Sequence, residues 1–304
     1  MKGYYQYAAD VRDGKVPVGE FIKQAVERFY ILFERDDVEF REERADYAIE
    51  FIALLRHYTG RHAGKSFVLL PWQEFAVASI YGFYKKDEDG TWCRLVSSVY
   101  IEMARKNGKS AFAAALCLYH LIADGESAAE VYLAANSKDQ AKVSFKMCRN
   151  FVSGLDPKHR YLDSFRDQIN FDKTLSFLRV LAADSSKLDG PNPSMFLLDE
   201  YHAAKNSGLK DVLQSGQGMR DDPMSVIITT AGFDKLGPCY QFREMCTEVL
   251  KGLKEDDTLF ALIYALDEGD DWKDEKMWAK SNPNLGITVK SKYLREQVQK
   301  AINS

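Results

Sequence analysis

The sequence predicts an α/β fold: a central, mostly parallel sheet flanked by helices, preceded by an N-terminal helical segment. Three observations lead there. Strand-like and helix-like stretches alternate from about residue 94 to residue 266, the order that builds a mostly parallel sheet covered on both faces. A Gly-Lys-Ser tripeptide, Gly108 to Ser110, falls between an apolar strand and an alanine-rich helix. A second apolar strand, "MFLL", runs directly into two acids, Asp199 and Glu200.

The elements follow in order. "EFIKQAVERFYILFER" and "ERADYAIEFIALLRHY", within residues 20–58, place apolar residues at three- and four-residue spacing and predict helices. In "FVLLPWQEFAVASIYGFY" a short apolar run meets Pro71, which suits the first turn of a helix reaching Tyr84. "DEDGT" is a turn and "RLVSSVYIEM" a buried strand. "AFAAALCLYHLIADG" is a helix closed by Gly125. "EVYLAAN" is the next strand, and Ser137 with Gln140 opens a capped helix ending near Gly154. "QINFDKTLSFLRVLAAD" reads as paired strands turning near Asp172 and Lys173. "SMFLLDE" and "MSVIITTAG" are buried strands, "QFREMCTEVLKGL" a helix, and "TLFALIYAL" a last strand.

Composition excludes several classes. No uninterrupted apolar run approaches a membrane span, and "MKGYYQYAADVRDG" is too polar for a signal peptide; the expected compartment is the cytosol. Five scattered cysteines without a C-x-x-C pair are read as structural thiols rather than disulfides or a zinc site. A net charge of −4 does not advertise nucleic-acid binding, so any such contact needs a local basic face. The candidate is residues 137–166, with Lys138, Lys142, Lys146, Arg149, Lys158, Arg160 and Arg166 against Asp139, Asp156 and Asp163. Such a face grips phosphates without reading bases; a solvated helix face is the favoured reading of it.

Gly-Lys-Ser occurs twice. A phosphate loop needs a strand before it and a helix after it, so that backbone N–H groups and the helix N-terminus converge on the anion. "RHAGKSFVLL", with Gly64, Lys65 and Ser66, follows a helix and is read as a surface turn. "YIEMARKNGKSAFAAALCLYH" has both neighbours, although Met103 stands where the usual pattern has its first glycine. Lys109 would reach the β- and γ-phosphates of a nucleotide, and the Ser110 hydroxyl would ligate Mg2+. Downstream, a buried strand ending in Asp-Glu matches a Walker B strand. Asp199 would hold the magnesium and Glu200 would activate water as general base. These motifs point to a P-loop NTPase that hydrolyses ATP, of the catalytic-glutamate (ASCE) type.

At this point the residues resemble the large terminase subunits of tailed bacteriophages, the ATP-driven motors that package viral DNA. The family's Walker A lacks the first glycine and carries an arginine inside the loop; "ARKNGKS" is similar, with Arg105 in that place. "LLPWQEF" resembles the family's adenine-binding motif, "LLDEYHAA" its Walker B, and "IITTAG" its coupling motif. "AANSKDQAKVSF" looks like the segment after the first βα unit, and "MWAKSNPNLGITVKSKYLREQVQKA" like the linker ahead of a nuclease domain.

The resemblance implies roles. Gln73 reads adenine, since an amide can both donate and accept, whereas Trp72 is read as core. Arg105, Asn107, Gly108, Lys109 and Ser110 form the ATP site, with Arg105 meeting γ-phosphate charge. Thr229 and Thr230 couple loss of the phosphate to movement. Arg220, in "GQGMR" before that strand, is the candidate arginine finger acting on a neighbouring subunit, with Lys187 as its competitor. His202 is read as a packing or hydrogen-bonding residue rather than a metal ligand.

From Glu255 to Glu275 there are nine acids and one base, Lys273. That shift divides the chain into an ATPase domain, residues 1–255 (its first 60 residues helical), and a linker subdomain, residues 256–304. Full-length family members continue into a metal-dependent nuclease, which is expected to lie beyond this chain. The implied function is translocation of double-stranded DNA into the capsid, with ATP and Mg2+. The implied partners are the portal protein, the small terminase subunit and further copies in a ring, in the host cytoplasm on the procapsid; an isolated chain could remain monomeric. A helicase-type DNA-dependent ATPase and a non-catalytic nucleotide-sensing scaffold stay open as alternatives.

Overall fold

The computed structural model describes residues 1–58, 63–135, 137–181 and 190–303. Its centre is an eight-stranded sheet: β4 (Ser98–Glu102), β5 (Glu130–Ala135), β6 (Leu162–Ser164), β7 (Gln168–Phe171), β8 (Ser176–Val180), β9 (Met195–Asp199), β10 (Met224–Thr229) and β11 (Leu259–Ile263). The spatial order is β11-β4-β10-β9-β5-β8-β7-β6. All pairs from β11 to β8 are parallel; β8-β7 and β7-β6 are antiparallel. The central strands are buried on both faces, which is why they read as unbroken apolar runs rather than alternating ones.

A smaller sheet, β1 (Val38–Phe40), β2 (Phe83–Lys86) and β3 (Trp92–Arg94), is antiparallel. It corrects one expectation. The helix begun by Pro71, α4 (Pro71–Tyr81), stops three residues before Tyr84 because Gly82 caps it and the chain turns into β2. The turn is crowded: a Cβ on Gly82 would lie 2.2 Å from the ring of Phe40.

Helices α2 (Glu20–Phe33) and α3 (Glu42–Leu54) stand where the periodicity put them. The helical segment expected over the first 60 residues also contains α1 (Gly3–Arg12), whose Tyr4, Tyr7, Ala8 and Val11 are buried. The core α/β units are completed by α5 (Lys109–Ile122), α6 (Lys138–Leu155), α7 (Gly208–Gly216) and α8 (Pro238–Leu250). The amide of Gln140 donates to Ser137 Oγ at 3.2 Å, so the cap of α6 forms as expected. All five cysteines are free thiols. Among the described residues no helix is long and apolar enough to cross a membrane.

The expected division at residue 255 cuts across this architecture. β11 is hydrogen-bonded along β4, with Leu259 opposite Ser98 and Ile263 opposite Glu102, so it is an edge strand of the main sheet. The acidic composition that suggested a boundary belongs to solvated loops on either side of it. Beyond β11 the chain forms two short elements, α9 (Trp278–Ser281) and α10 (Ser291–Ile302).

Candidate active site

Parallel register brings the carboxyl ends of three strands to one level. Thr229 pairs with Glu102, and Ile228 with Asp199, so the loops leaving β4, β9 and β10 open on the same rim. β10 lies between the phosphate-loop strand β4 and the acid-bearing strand β9. This inserted strand is the layout that the catalytic-glutamate class implies.

The loop from Met103 to Gly108 leads straight into α5. Its left-handed residues are Lys106, at φ 69°, and Gly108, at φ 78°. Met103 is not among the positive-φ residues, and its side chain is buried. A glycine at that position is therefore unnecessary here, because the backbone asks nothing of it that a side chain forbids. Lys109 is also buried, and its Nζ donates to the carbonyl oxygens of Met103 at 3.0 Å and Ala104 at 3.1 Å. Burial lowers its pKa below the ordinary lysine range, with Glu200 and Asp199 pulling the other way. A cavity of about 350 Å3 is lined by Arg105, Lys106, Gly108, Lys109, Ser110 and, from across the rim, Glu200 and Thr288. A second cavity, of about 170 Å3, is lined by Asp199 and Glu200 together with Lys205 and Asn206.

Asp199 ends β9 in the interior, at 5% exposure. Ser144 of α6 donates to its Oδ2 at 2.5 Å, while Oδ1 is buried with no hydrogen-bond partner among the described residues. Burial raises the Asp199 carboxyl above the usual aspartate range, against the Ser144 hydrogen bond, and the neighbouring Glu200 charge adds to the rise. An orphaned, desolvated carboxylate oxygen beside the phosphate loop fits a divalent cation. Glu200 sits in the left-handed region at φ 55°, a conformation that costs a non-glycine residue about 1 kcal/mol or more and is found at functional sites. Its Oε2 is buried, and His202 Nδ1 lies 3.1 Å away, at an angle that makes a close contact rather than an aligned hydrogen bond.

The structure therefore brings together Arg105, Gly108, Lys109, Ser110, Asp199 and Glu200, with Thr229 and Thr230 at the adjacent strand end. It does not bring the other site residues in as expected. Asn107 is fully buried, and its side chain turns away from the cavity. Its Nδ2 donates to Ala104 O at 3.1 Å and Asn282 Oδ1 at 3.0 Å, and its Oδ1 accepts from the Asn284 amide at 3.0 Å. Gln73 is buried too, and its Oε1 accepts from the Leu70 amide at 2.9 Å, a helix-capping task. Trp72 is core as expected, but its Nε1 also donates to Asn284 Oδ1 at 2.8 Å.

Arg220 is a clear correction. It precedes β10, so it lies at the amino end of a parallel strand, opposite the rim that carries the phosphate loop. Its guanidinium is engaged within its own subunit, by Asn192 O at 2.9 Å, Ala128 O at 3.0 Å and Glu126 at 2.8 Å. It has no free face to lend a neighbour. Lys187 lies outside the described residues. The Gly64-Lys65-Ser66 copy is an exposed turn in which Ser66 forms a bridge with Arg56, and no helix starts there. In the basic stretch, Lys138 and Lys142 are paired with Asp167 at 3.0 and 4.0 Å, which leaves less free charge than the sequence suggested.

Sequence reasoning missed the clasp on the phosphate loop. Asn284 Nδ2 donates to Asn107 O at 2.9 Å, Thr288 Oγ1 donates to Lys106 O at 2.7 Å, and the Ala104 amide donates to Ser281 O at 3.2 Å. The Lys106 ammonium stands 4.1 Å from the Tyr293 ring centroid. Ser144 was also missed; its position on the inward face of a capped amphipathic helix was the available signal.

Comparison with known proteins agrees with this geometry. Residues 71–248 match the family model described as terminase large subunit, ATPase domain, and residues 254–304 match that of the terminase large subunit endonuclease domain. The stretch read as a linker thus carries a nuclease-model match, and it includes the edge strand β11. The chain is 23% identical to the terminase large subunit of Lactococcus phage p2 over 286 residues, 92% of this chain and 52% of that protein. It is 41% identical to protein YmfN of Escherichia coli K12 over 116 residues, 38% of this chain and 26% of that protein. The crystal structure of the HK97 bacteriophage large terminase superposes with a TM-score of 0.72 at 20% identity, over 86% of this chain and 52% of that one. The chain thus spans about half or less of the length of these relatives.

Proposed function

Since the chain belongs to the terminase large subunit family through its ATPase domain, we propose that it is the ATP-hydrolysing motor part of a viral DNA-packaging machine. The observation that carries this reading is the convergence of Lys109, Asp199 and Glu200 on one rim, with a strand inserted between the two motif strands. In the proposed reaction, Lys109 exchanges the carbonyl oxygens of Met103 and Ala104 for phosphate oxygens. Ser110 and Asp199 would hold Mg2+, which would neutralise phosphate charge. Glu200 takes the proton of the attacking water, and Arg105 meets the charge that develops on the γ-phosphate. Thr229 and Thr230 sense the change at the end of β10.

The substrate moved is double-stranded DNA. The working assembly is a ring of copies docked on the portal protein of a procapsid in the host cytoplasm, supplied with DNA by the small subunit. Within the chain, the ATPase body runs through β11, and residues 264–303 strap its phosphate loop and lead towards the nuclease of longer relatives.

The test is ATP turnover by the chain with and without DNA, in wild type and Glu200→Gln. The expected outcome is hydrolysis by wild type, and binding of ATP with very slow hydrolysis by Glu200→Gln. Equal turnover in both would remove Glu200 from its role, and no turnover by wild type with DNA and packaging partners would defeat the motor reading.

A further inference from the structure

His202, expected to pack or to hydrogen-bond, sits between the proposed catalytic carboxylate and the strand that is to sense hydrolysis. It lies on the short turn Tyr201–Ala203 directly after Glu200. Its backbone amide donates to Thr229 Oγ1 at 3.0 Å. Its Nδ1 lies 3.1 Å from the same hydroxyl, 3.4 Å from Thr230 Oγ1 and 3.1 Å from Glu200 Oε2.

The hydrogen-bond inventory narrows what the ring does. Thr229 Oγ1 already donates its proton to Thr230 O at 2.9 Å, so towards His202 it can only accept. Nδ1 must therefore carry the hydrogen if it is to bond to Thr229. The same N–H is within reach of Glu200 Oε2, which is buried and lacks an aligned partner. That donor thus faces the Thr229 hydroxyl on β10 and the proposed catalytic carboxylate, each at 3.1 Å, with Thr230 Oγ1 further off at 3.4 Å. Thr229 is tied onward to the phosphate loop, because its carbonyl oxygen accepts from the Met103 amide at 3.3 Å. Hydrogen bonds run from the loop through Thr229 to His202, and a 3.1 Å contact carries the path on to Glu200.

We propose that His202 is the positioning residue for Glu200: through Nδ1 it sets the carboxylate against the end of β10, so that the water-activating group and the coupling threonines move as one unit. This rests on Glu200 being the base, as proposed above. Glu200 lies past the end of β9, in a left-handed conformation and outside the strand ladder. Misplacing a catalytic group by about 1 Å costs on the order of 100-fold in rate.

The experiment measures ATP turnover and fluorescent-nucleotide binding for His202→Ala and His202→Asn, each with Glu200 intact and with Glu200→Gln, using the full chain with DNA. With Glu200 intact, His202→Ala is expected to lower kcat by about 10- to 100-fold while KM and nucleotide affinity stay within about twofold. Asn places an N–H donor near the position of Nδ1, so His202→Asn should restore most of the loss. On the Glu200→Gln background, His202→Ala should cost nothing further. Wild-type kcat in a folded His202→Ala protein would overturn the proposal, as would an equal loss on both backgrounds. If the alanine variant fails to fold, a His202→Asn protein whose kcat falls together with its nucleotide affinity would overturn it as well. A wild-type chain without turnover would instead refute the proposed function, so the two failures are distinguishable.

Discussion

Lys109 is held by Met103: the ammonium at the end of the phosphate loop donates to the carbonyl oxygen of the loop's first residue at 3.0 Å, and to that of Ala104 at 3.1 Å. These two acceptors keep a buried cation satisfied in the absence of phosphate. Lys109→Ala is expected to weaken nucleotide binding by about 100-fold or more, because charge-assisted bonds to phosphate are among the strongest in such a site. Lys65→Ala, in the exposed turn, should bind as wild type does. Titration with a fluorescent ATP analogue separates the two, and equal losses in two folded variants would overturn the site.

Asp199→Asn should make the nucleotide-free protein more stable and the cation-dependent site weaker. Burial raises the Asp199 carboxyl, so its ionised form at neutral pH is disfavoured in the fold. An amide removes that charge and can still accept from Ser144. The gain should read as a raised Tm in the nucleotide-free protein. Magnesium-dependent ATP binding should fall in the same variant. Thermal melts with and without Mg2+ and nucleotide read both effects; a lowered Tm without ligand would show that the carboxylate stabilises the resting fold.

Asn284→Ala should weaken nucleotide binding although Asn284 does not line the cavity. The substitution removes the partner of Trp72 Nε1 and of Asn107 O, leaving buried polar groups unsatisfied at a cost of about 1–3 kcal/mol. Part of that loss falls on the loop, so nucleotide affinity should drop by about tenfold. Calorimetric titration beside a denaturant melt checks it, and unchanged affinity would show the clasp to be inert towards the site.

The pH dependence of stability should carry the mark of Asp124. Burial opposes its ionisation, but Arg94 at 2.8 Å and His120 at 2.8 Å override it and hold the carboxyl well below the usual carboxylate range. A depressed carboxyl contributes stability that is fully present above its unfolded value and is lost as pH falls through the folded one. Asp124→Asn leaves the buried Arg94 short of a countercharge and should cost about 3 kcal/mol at pH 7. The gap between variant and wild type should narrow as the pH is lowered past about 4. Urea melts at several pH values test this, and a gap that stays constant down to pH 2 would contradict it.

What the sequence made legible follows from the range of the physics involved. Buried parallel strands declare themselves as apolar runs, and the strand-loop-helix context of Lys109 needs only some twenty residues to be read. Asp199 and Glu200 were found because a strand end places them by chain direction alone. The failures were long-range. Arg220 looked free because its partners Glu126, Ala128 and Asn192 are distant in sequence, although its position before a parallel strand already placed it at the far rim. Asn107 looked like a ligand contact because nothing local revealed Asn282 and Asn284. The boundary at residue 255 followed composition, which describes loops, whereas β11 belongs to the sheet through a hydrogen-bond ladder that composition does not encode. α1 was legible within the N-terminal helical segment: Tyr4, Tyr7, Ala8 and Val11 carry helical spacing.

The clasp also sets an order of assembly. The neighbours of β4 in the sheet are β10 and β11, and its loop is then pinned by Asn282 and Asn284, 175 and 177 residues after Asn107. A chain emerging from the ribosome as far as residue 223 already contains Lys109, Asp199 and Glu200, but β4 has as yet no strand to pair with. Contacts of such sequence separation form late, because the entropy of closing the intervening chain opposes them until most of the fold is in place. Competence to hold a nucleotide is thus acquired near the end of synthesis, and a nascent chain that already carries Lys109, Asp199 and Glu200 does not yet have the site assembled.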